Sequence, residues 1–229
     1  YVVTGDIGCY TLGCAAPLNC MDSVVCMGAG FSAGMGIAKS FEKEGVTGKV
    51  VFGVVGDSTF FHSGMTGAAE IVYNKGRMIP CVLDNRITGM TGHQDNPGTG
   101  YTLQGDPTAL LSVEKILTAL GFAPVLTVDP QDLKAMKAAV DQAVAALDAG
   151  QQPAIVTRRP CLLIKRDKFR KGMCRVNADK CRSCRSCLKV GCPAISLENG
   201  KAVIDRTQCV GCTVCAQVCP FDAIEKEEK

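Results

Sequence analysis

The chain has 229 residues, with 25 Lys and Arg against 22 Asp and Glu and a formal net charge of +3. So balanced a charge, with no tryptophan and few other aromatics, offers neither the basic face nor the stacking platforms that nucleic acid requires. No run of about 18 apolar residues exists, so no membrane span is expected, and no signal peptide is visible. The length allows one medium domain and one small one, and a stretch of about 50 residues usually needs staples.

Tyr1 to Cys14 starts with a short β-branched strand that meets turn chemistry at Gly5-Asp6 and Gly8. Val24 to Met27 is a second short apolar segment. It leads through Gly28-Ala29-Gly30 into a small-residue helix from Phe31 to Glu44. Glycines inside a helix weaken it, and are justified either by tight packing or by the approach of a ligand. Lys49 to Val55 is a near-continuous apolar strand ending in Gly56-Asp57-Ser58, the pattern of a strand covered on both faces. A helix from Met65 to Gly76 follows, then a second buried strand, Met78 to Leu83, ending in Asp84-Asn85. Polar residues thus stand at the carboxyl ends of both strands of a βαβ unit, the edge at which parallel sheets bind ligands.

Arg86 to Tyr101 is rich in glycine and threonine, without periodicity, and long enough to be functional. Ser112 to Leu120 reads as a helix and Pro124 to Val128 as a strand. Pro130 to Ala149 reads as a long helix, with Asp129 as its expected N-cap and Gly150 beyond its end. Pro153 to Thr157 is a last strand. The alternation predicts a doubly wound α/β domain over residues 1–160. Arg158 to Lys171 holds seven Lys or Arg and reads as a solvated linker; the expected linker proper is 161–175. Residues 176–229 form a small module.

Fifteen cysteines would suggest disulfides in a small secreted protein. Here eight of them form two runs, Cys181, Cys184, Cys187, Cys192 and Cys209, Cys212, Cys215, Cys219, each closed by proline. They point to reduced thiolates and metal, hence a reducing compartment such as the cytoplasm of an anaerobe. The second run is C-x2-C-x2-C-x3-C-P, the bacterial ferredoxin spacing; the first has one more residue before Cys192. In such pairs the fourth cysteine of each run ligates the other cluster. One [4Fe-4S] cluster is therefore expected on Cys181, Cys184, Cys187 and Cys219, and a second on Cys192, Cys209, Cys212 and Cys215. Zinc in the same thiolates is the rival. Cys9, Cys14, Cys20 and Cys26 have irregular spacings and read as buried free cysteines; Cys81, Cys161 and Cys174 are not expected to be ligands.

Asp57 and Asn85 lie 28 positions apart. Mg2+ takes oxygen ligands from few protein groups and leaves the rest of its octahedron to phosphate. The Asp57 carboxylate, the Asn85 amide oxygen and the Ile87 carbonyl suit it, and the N–H groups of Ser58 and Thr59 open the next helix toward a diphosphate. His62 is the best-placed acid/base candidate, against a hydrogen-bonded structural histidine; His93 reads as a loop surface residue.

These residues carry a resemblance. Gly56-Asp57-Ser58 with Asp84-Asn85 resembles the thiamine diphosphate motif, with Ser58 in place of its usual last glycine and the spacing one residue longer. Together with TGDIGCYTLG (4–13), CMGAGFSAGMGIAKS (26–40), GDSTFFHSG (56–64) and the paired cysteine runs, the whole chain resembles the C-terminal part of the alpha subunits of indolepyruvate:ferredoxin oxidoreductases, within the wider family of 2-oxoacid:ferredoxin oxidoreductases. The extra residue before Cys192 also fits them.

The resemblance implies a thiamine diphosphate site lined by Met27, Gly28, Gly56, Asp57, Ser58, Thr59, Asn85 and Gly89, with Mg2+ on Asp57, Asn85 and Ile87. It implies oxidative decarboxylation of an aryl 2-oxoacid to an acyl-CoA, with coenzyme A as co-substrate and electrons leaving through two [4Fe-4S] clusters to an external ferredoxin. It also implies a domain for the aminopyrimidine, with an activating glutamate, that is not seen here. Since the chain begins at Tyr1, it reads as a fragment. The missing N-terminal domains and a beta subunit are the expected partners. Pyruvate or another 2-oxoacid is an alternative substrate, and an electron-transfer module on a non-catalytic scaffold is an alternative of another class.

Overall fold

The computed structural model describes residues 1–164 and 172–227; most of the basic stretch of the expected linker, 165–171, lies outside them. Six strands form one parallel sheet in the order β2-β1-β3-β4-β6-β5. They are β1 (Val2–Gly5), β2 (Ser23–Val24), β3 (Val51–Gly56), β4 (Met78–Asp84), β5 (Val125–Val128) and β6 (Ala154–Arg158). The crossovers from β2 through to β5 advance across the sheet and that from β5 to β6 returns, so they cover both faces. On one face Phe31, Val51, Val55, Phe60, Ile71, Met78, Leu117 and Phe122 form the main core, under α1 (Ala29–Lys43), α3 (Met65–Tyr73) and α4 (Val113–Leu120). On the other, Phe52, Ile79, Cys81 and Ile155 pack against Ala143 and Leu147 of α5 (Leu133–Asp148). Burial on both sides is why β3 and β4 read as unbroken apolar runs.

The glycines of α1 answer to tight packing. A Cβ on Gly30 would lie 2.1 Å from the Val54 carbonyl oxygen. Thr4, fully buried in β1, donates to the Gly30 carbonyl at 2.6 Å, so helix backbone and sheet backbone are nearly in contact. After β3 the chain turns directly into a three-residue helix, α2 (Asp57–Thr59), a π-helical turn (Phe60–Gly64) and then α3. Such π turns occur often at functional sites.

Helix α5 starts later than its sequence suggests. Asp132, not Asp129, is the N-cap, accepting from the Ala135 N–H at 2.9 Å. Asp129 accepts from the Gln131 N–H at 2.9 Å and pairs with Arg159. Arg158 and Arg159 are therefore anchored, not solvated: Arg158 donates to Asp84 at 2.8 Å and pairs with Glu114.

The small α+β module is built from two antiparallel pairs. β7 (Met173–Val176) pairs with β10 (Ile224–Glu227), and β8 (Ile195–Glu198) with β9 (Lys201–Ile204). β7 falls mostly within the stretch read as linker. A 3₁₀ turn (Ser186–Val190) and the short α6 (Val214–Gln217) carry the middle of each cysteine run. The extra residue of the first run lengthens the turn, which ends at Gly191 with φ +70°, a left-handed conformation that glycine takes without strain. A Cβ there would meet Pro17 and Leu18 at 3.5 and 3.6 Å, so the added residue rests against the sheet domain. No helix among the described residues is long and apolar enough to cross a membrane.

Candidate thiamine diphosphate and iron–sulfur sites

The carboxyl edge of β1, β3, β4 and β6 holds a cavity of about 490 Å³. Met27, Gly56, Asp57, Ser58, Thr59, Asn85, Ile87 and Gly89 line it, so seven of the eight expected diphosphate residues meet there with the Ile87 candidate ligand. Gly28 stands just behind, donating its N–H to the Asp6 carboxylate at 2.8 Å. His62 lies outside, lining a neighbouring cavity of about 440 Å³ that shares Ser58 and Thr88. His93 sits in the exposed loop.

Asp57 is only 3% exposed. Burial, and then the charge of Asp84, push its carboxyl up to about 6, against the opposing hydrogen bonds of Asn96 and the Ser58 and Arg86 N–H groups. The Asn96 amide donates to Asp57 at 3.2 Å and Ser58 N–H at 2.9 Å. A buried carboxylate held up by desolvation and a second carboxylate is a site a cation relieves. Asp84 is already offset by Arg158 at 2.8 Å and Arg86 at 3.4 Å, which leaves Asp57 for the metal. The Asn85 side-chain oxygen accepts from the Ile87 N–H at 3.1 Å, a turn that brings Ile87 and Asn85 to the same cavity wall. The residues present thus fit a hard divalent cation with a diphosphate. Ser58 has its own role: its hydroxyl accepts from Thr88 at 2.9 Å, tying the motif to the loop after β4, a bond glycine cannot make.

Sequence reasoning missed four residues here. Asp6, fully buried, accepts from the Tyr10 hydroxyl and from Gly28 N–H, while Tyr10 accepts from Gly56 N–H at 2.8 Å. One Asp–Tyr pair thereby joins the loops after β1, β2 and β3. Burial raises both groups, Asp6 above its usual carboxylate range and Tyr10 well above a free phenol. Asn96 braces Asp57, and Arg159 lines the cavity from just beyond β6. In the sequence Asp6 reads as turn chemistry, and Asn96 lies in a loop whose lack of periodicity gives no sign of the brace.

In the small module, Cys181, Cys184 and Cys187 line one cavity with Cys219 of the other run. Burial raises the Cys187 thiol, and the charges of Cys184, Cys219 and Cys181 add to it. Burial pushes Cys215 up to about 12, with further contributions from Cys174, Cys212 and Cys192. Thiols that oppose one another's ionisation in two such groups are suited to soft cations that neutralise them. Backbone N–H groups already point at sulfur: Cys174 N–H to Cys209 at 3.3 Å and Ala223 N–H to Cys219 at 3.4 Å. Cys174, buried beside Cys209, Cys212 and Cys215, is a fifth thiol of that group. Cys9, Cys14, Cys20 and Cys26 are all exposed, correcting their reading as buried: Cys9 and Cys14 sit on a second 3₁₀ turn (Cys9–Cys14) after β1 and Cys20 and Cys26 on the loops flanking β2, at the sheet's edge and not in its core.

Comparison with known proteins agrees with both halves. The family described as thiamine pyrophosphate enzyme, C-terminal TPP binding domain, matches residues 6–157, and that described as 4Fe-4S binding domain matches 202–225. The chain is 39% identical over 98% of its length to indolepyruvate oxidoreductase subunit IorA of Pyrococcus abyssi, and 40% identical over 98% to that of Thermococcus kodakarensis. It spans 37% and 36% of those relatives' own lengths. Among solved structures, 2-oxoglutarate:ferredoxin oxidoreductase of Magnetococcus marinus, with 2-oxoglutarate, coenzyme A and succinyl-CoA bound, shares the fold. Its TM-score is 0.52 at 16% identity, over 69% of this chain and 53% of that one. The chain therefore belongs to the thiamine pyrophosphate enzymes, carrying their C-terminal TPP binding domain together with a 4Fe-4S binding domain.

Proposed function

We propose that the chain is the diphosphate-binding and electron-transfer part of a 2-oxoacid:ferredoxin oxidoreductase. Its substrates are aryl 2-oxoacids such as indolepyruvate, its co-substrate coenzyme A, and its acceptor an external ferredoxin. The observation that carries this reading is the buried Asp57, facing Asn85 across one cavity, on the same chain as two thiol groups. Thiamine diphosphate, when bound, supplies the electron sink for decarboxylation, and two [4Fe-4S] clusters supply one-electron carriers. The chain's part is placement. Asp57, Asn85 and the Ile87 carbonyl hold Mg2+, and Gly56, Ser58 and Thr59 present the start of a helix to the diphosphate. Met27, Gly28 and Gly89 shape the wall, and His62 from its adjoining cavity is the proton-transfer candidate. Cys181, Cys184, Cys187 and Cys219 hold one cluster; Cys192, Cys209, Cys212 and Cys215 hold the other.

The rim of the cavity supports a covering domain. Ile7, Leu12, Val25, Met27 and Met90 are exposed on the loops around it, an apolar border suited to protein contact. The rest of the longer polypeptide and a beta subunit complete the site, one or the other carrying the activating glutamate. The two clustered cysteine runs, suited to reduced thiolates and metal, support a reducing compartment such as the cytoplasm.

The test is an anaerobic assay of the complete enzyme with indolepyruvate, phenylpyruvate and pyruvate, in the presence of coenzyme A and ferredoxin. Oxoacid-dependent ferredoxin reduction is expected, highest with indolepyruvate and at least 10²-fold lower in Asp57→Ala. Undiminished reduction by Asp57→Ala overturns the thiamine assignment.

A further inference from the structure

The two thiol groups face different neighbours. Cys212 lines a cavity at the junction with the sheet, where Asp129, Gln131 and Arg159 form the other wall. Arg159 also lines the diphosphate cavity, so one side chain borders both. Gln217 of α6 holds the junction closed, accepting from the Leu133 N–H at 2.9 Å and donating to the Gln131 carbonyl at 2.7 Å. The group containing Cys212 is therefore the one turned toward the thiamine site.

The other group is turned to solvent. Cys184 is exposed. Arg182 and Arg185 line the same small cavity as Cys184, and the charge of Lys189 reaches its thiol. All three cations are exposed. Nearby, Arg175 and Lys180 share the Glu225 carboxylate, and Arg206 pairs with Glu227. Arg182, Arg185 and Lys189 have no carboxylate partner among the described residues. Unneutralised cations ringing an exposed thiol cost nothing in water, and they create a local positive field.

We propose that the surface around Cys184, rimmed by Arg182, Arg185 and Lys189, is the docking site of a small acidic one-electron carrier. The proposal deepens the function above and rests on it for the electrons. The step is a single electron passing from the reduced cluster on Cys181, Cys184, Cys187 and Cys219 to the oxidised centre of the carrier; no bond forms or breaks and no proton moves. The chemistry of the rim selects an acidic partner. Two guanidinium forks engage surface carboxylates in pairs, and the lysine adds a point charge. Exposed charge pairs bind weakly, so the complex forms quickly by electrostatic steering and falls apart quickly, as a carrier that must leave after one electron requires.

The experiment uses the complete anaerobic enzyme and an acidic two-cluster bacterial ferredoxin. The triple variant Arg182→Glu, Arg185→Glu, Lys189→Glu is compared with wild type at low and high ionic strength. The expected result is a KM for ferredoxin at least 10-fold higher at low salt, with its salt dependence abolished or inverted. The iron content and the electron paramagnetic resonance of the dithionite-reduced clusters stay unchanged. Lys189→Glu alone, the mildest change, shifts KM in the same direction by a smaller factor. Calorimetric binding of oxidised ferredoxin is measured in parallel and needs no turnover: a weakened Kd in the variant upholds the docking site even if the enzyme proves inactive on 2-oxoacids. A wild-type KM, salt dependence and Kd in the triple variant overturn it, as does equal binding of a ferredoxin whose surface carboxylates have been amidated.

Discussion

The diphosphate cavity and the cysteine module differ in what stands behind their ligands. Asp57 opens a helical run whose Phe60, fully buried, locks into a core with Phe31, Val55 and Ile71. That core contains no ligand, so the edge keeps its shape without metal or cofactor. In the module the strands are four residues long. Four of the eight buried members of its core are cysteines, Cys174, Cys181, Cys187 and Cys215. Three of these are the proposed ligands themselves. A core of Ile195, Ala202, Ala223 and Ile224 is too small to offset the chain entropy of some 55 residues, so binding free energy must become folding free energy. One region presents a preformed site; the other is closed by what it binds.

Removing iron breaks that comparison open most strongly. Anaerobic chelation, or Cys209→Ala with Cys215→Ala, is expected to unfold residues 173–227 and leave 1–158 intact. Amide hydrogen exchange resolves the two: protection lost across β7 to β10 and retained in β3, β4 and β6. Retained protection in the module would show a core that stands without its clusters.

Phe60→Ala attacks the opposite side. It empties a fully buried aromatic position next in sequence to Thr59 of the cavity wall and is expected to cost about 3–5 kcal/mol. Urea unfolding followed on the sheet domain measures the loss, and the same variant keeps its iron, because the module shares no core with Phe60.

Parts of this architecture are written locally in the sequence and parts are not. VFGVV and MIPCVL read as covered strands because apolar runs bounded by glycine and polar residues have few other solutions. The two cysteine runs declare their spacing outright. Contacts joining distant segments leave no local trace. Tyr10 meets Gly56 across 46 positions, Asp6 meets Gly28 across 22, and Arg158 meets Asp84 across 74. Asp6 and Arg158 thus read as a turn residue and a solvated linker, which their neighbours in sequence suggest and their neighbours in space contradict. Asp129 and Asp132 are a closer contest: both are sound N-caps before α5, and the pairing of Asp129 with Arg159 decides between them.

The preformed cavity has a cost that the module avoids, and pH exposes it. In the metal-free chain burial and Asp84 raise the Asp57 carboxyl from 3.8 to about 6. The folded chain therefore keeps a proton that the unfolded chain has released, and between those two values the unfolded state binds fewer protons. Metal-free stability from this group is highest below pH 4 and falls as pH rises toward 6, by up to about 1.4 kcal/mol per unit. Asp57→Asn removes the charge and the slope, so the variant is expected to be more stable than wild type at pH 7 and no different at pH 4. Wild type with Mg2+ and thiamine diphosphate regains the difference at pH 7, because the cation replaces the proton. Urea titrations of the sheet domain at pH 4, 5, 6 and 7 measure all of this. A wild-type and Asp57→Asn pair whose stabilities run parallel across that range would show that Asp57 carries no burial penalty and needs no cation to relieve it.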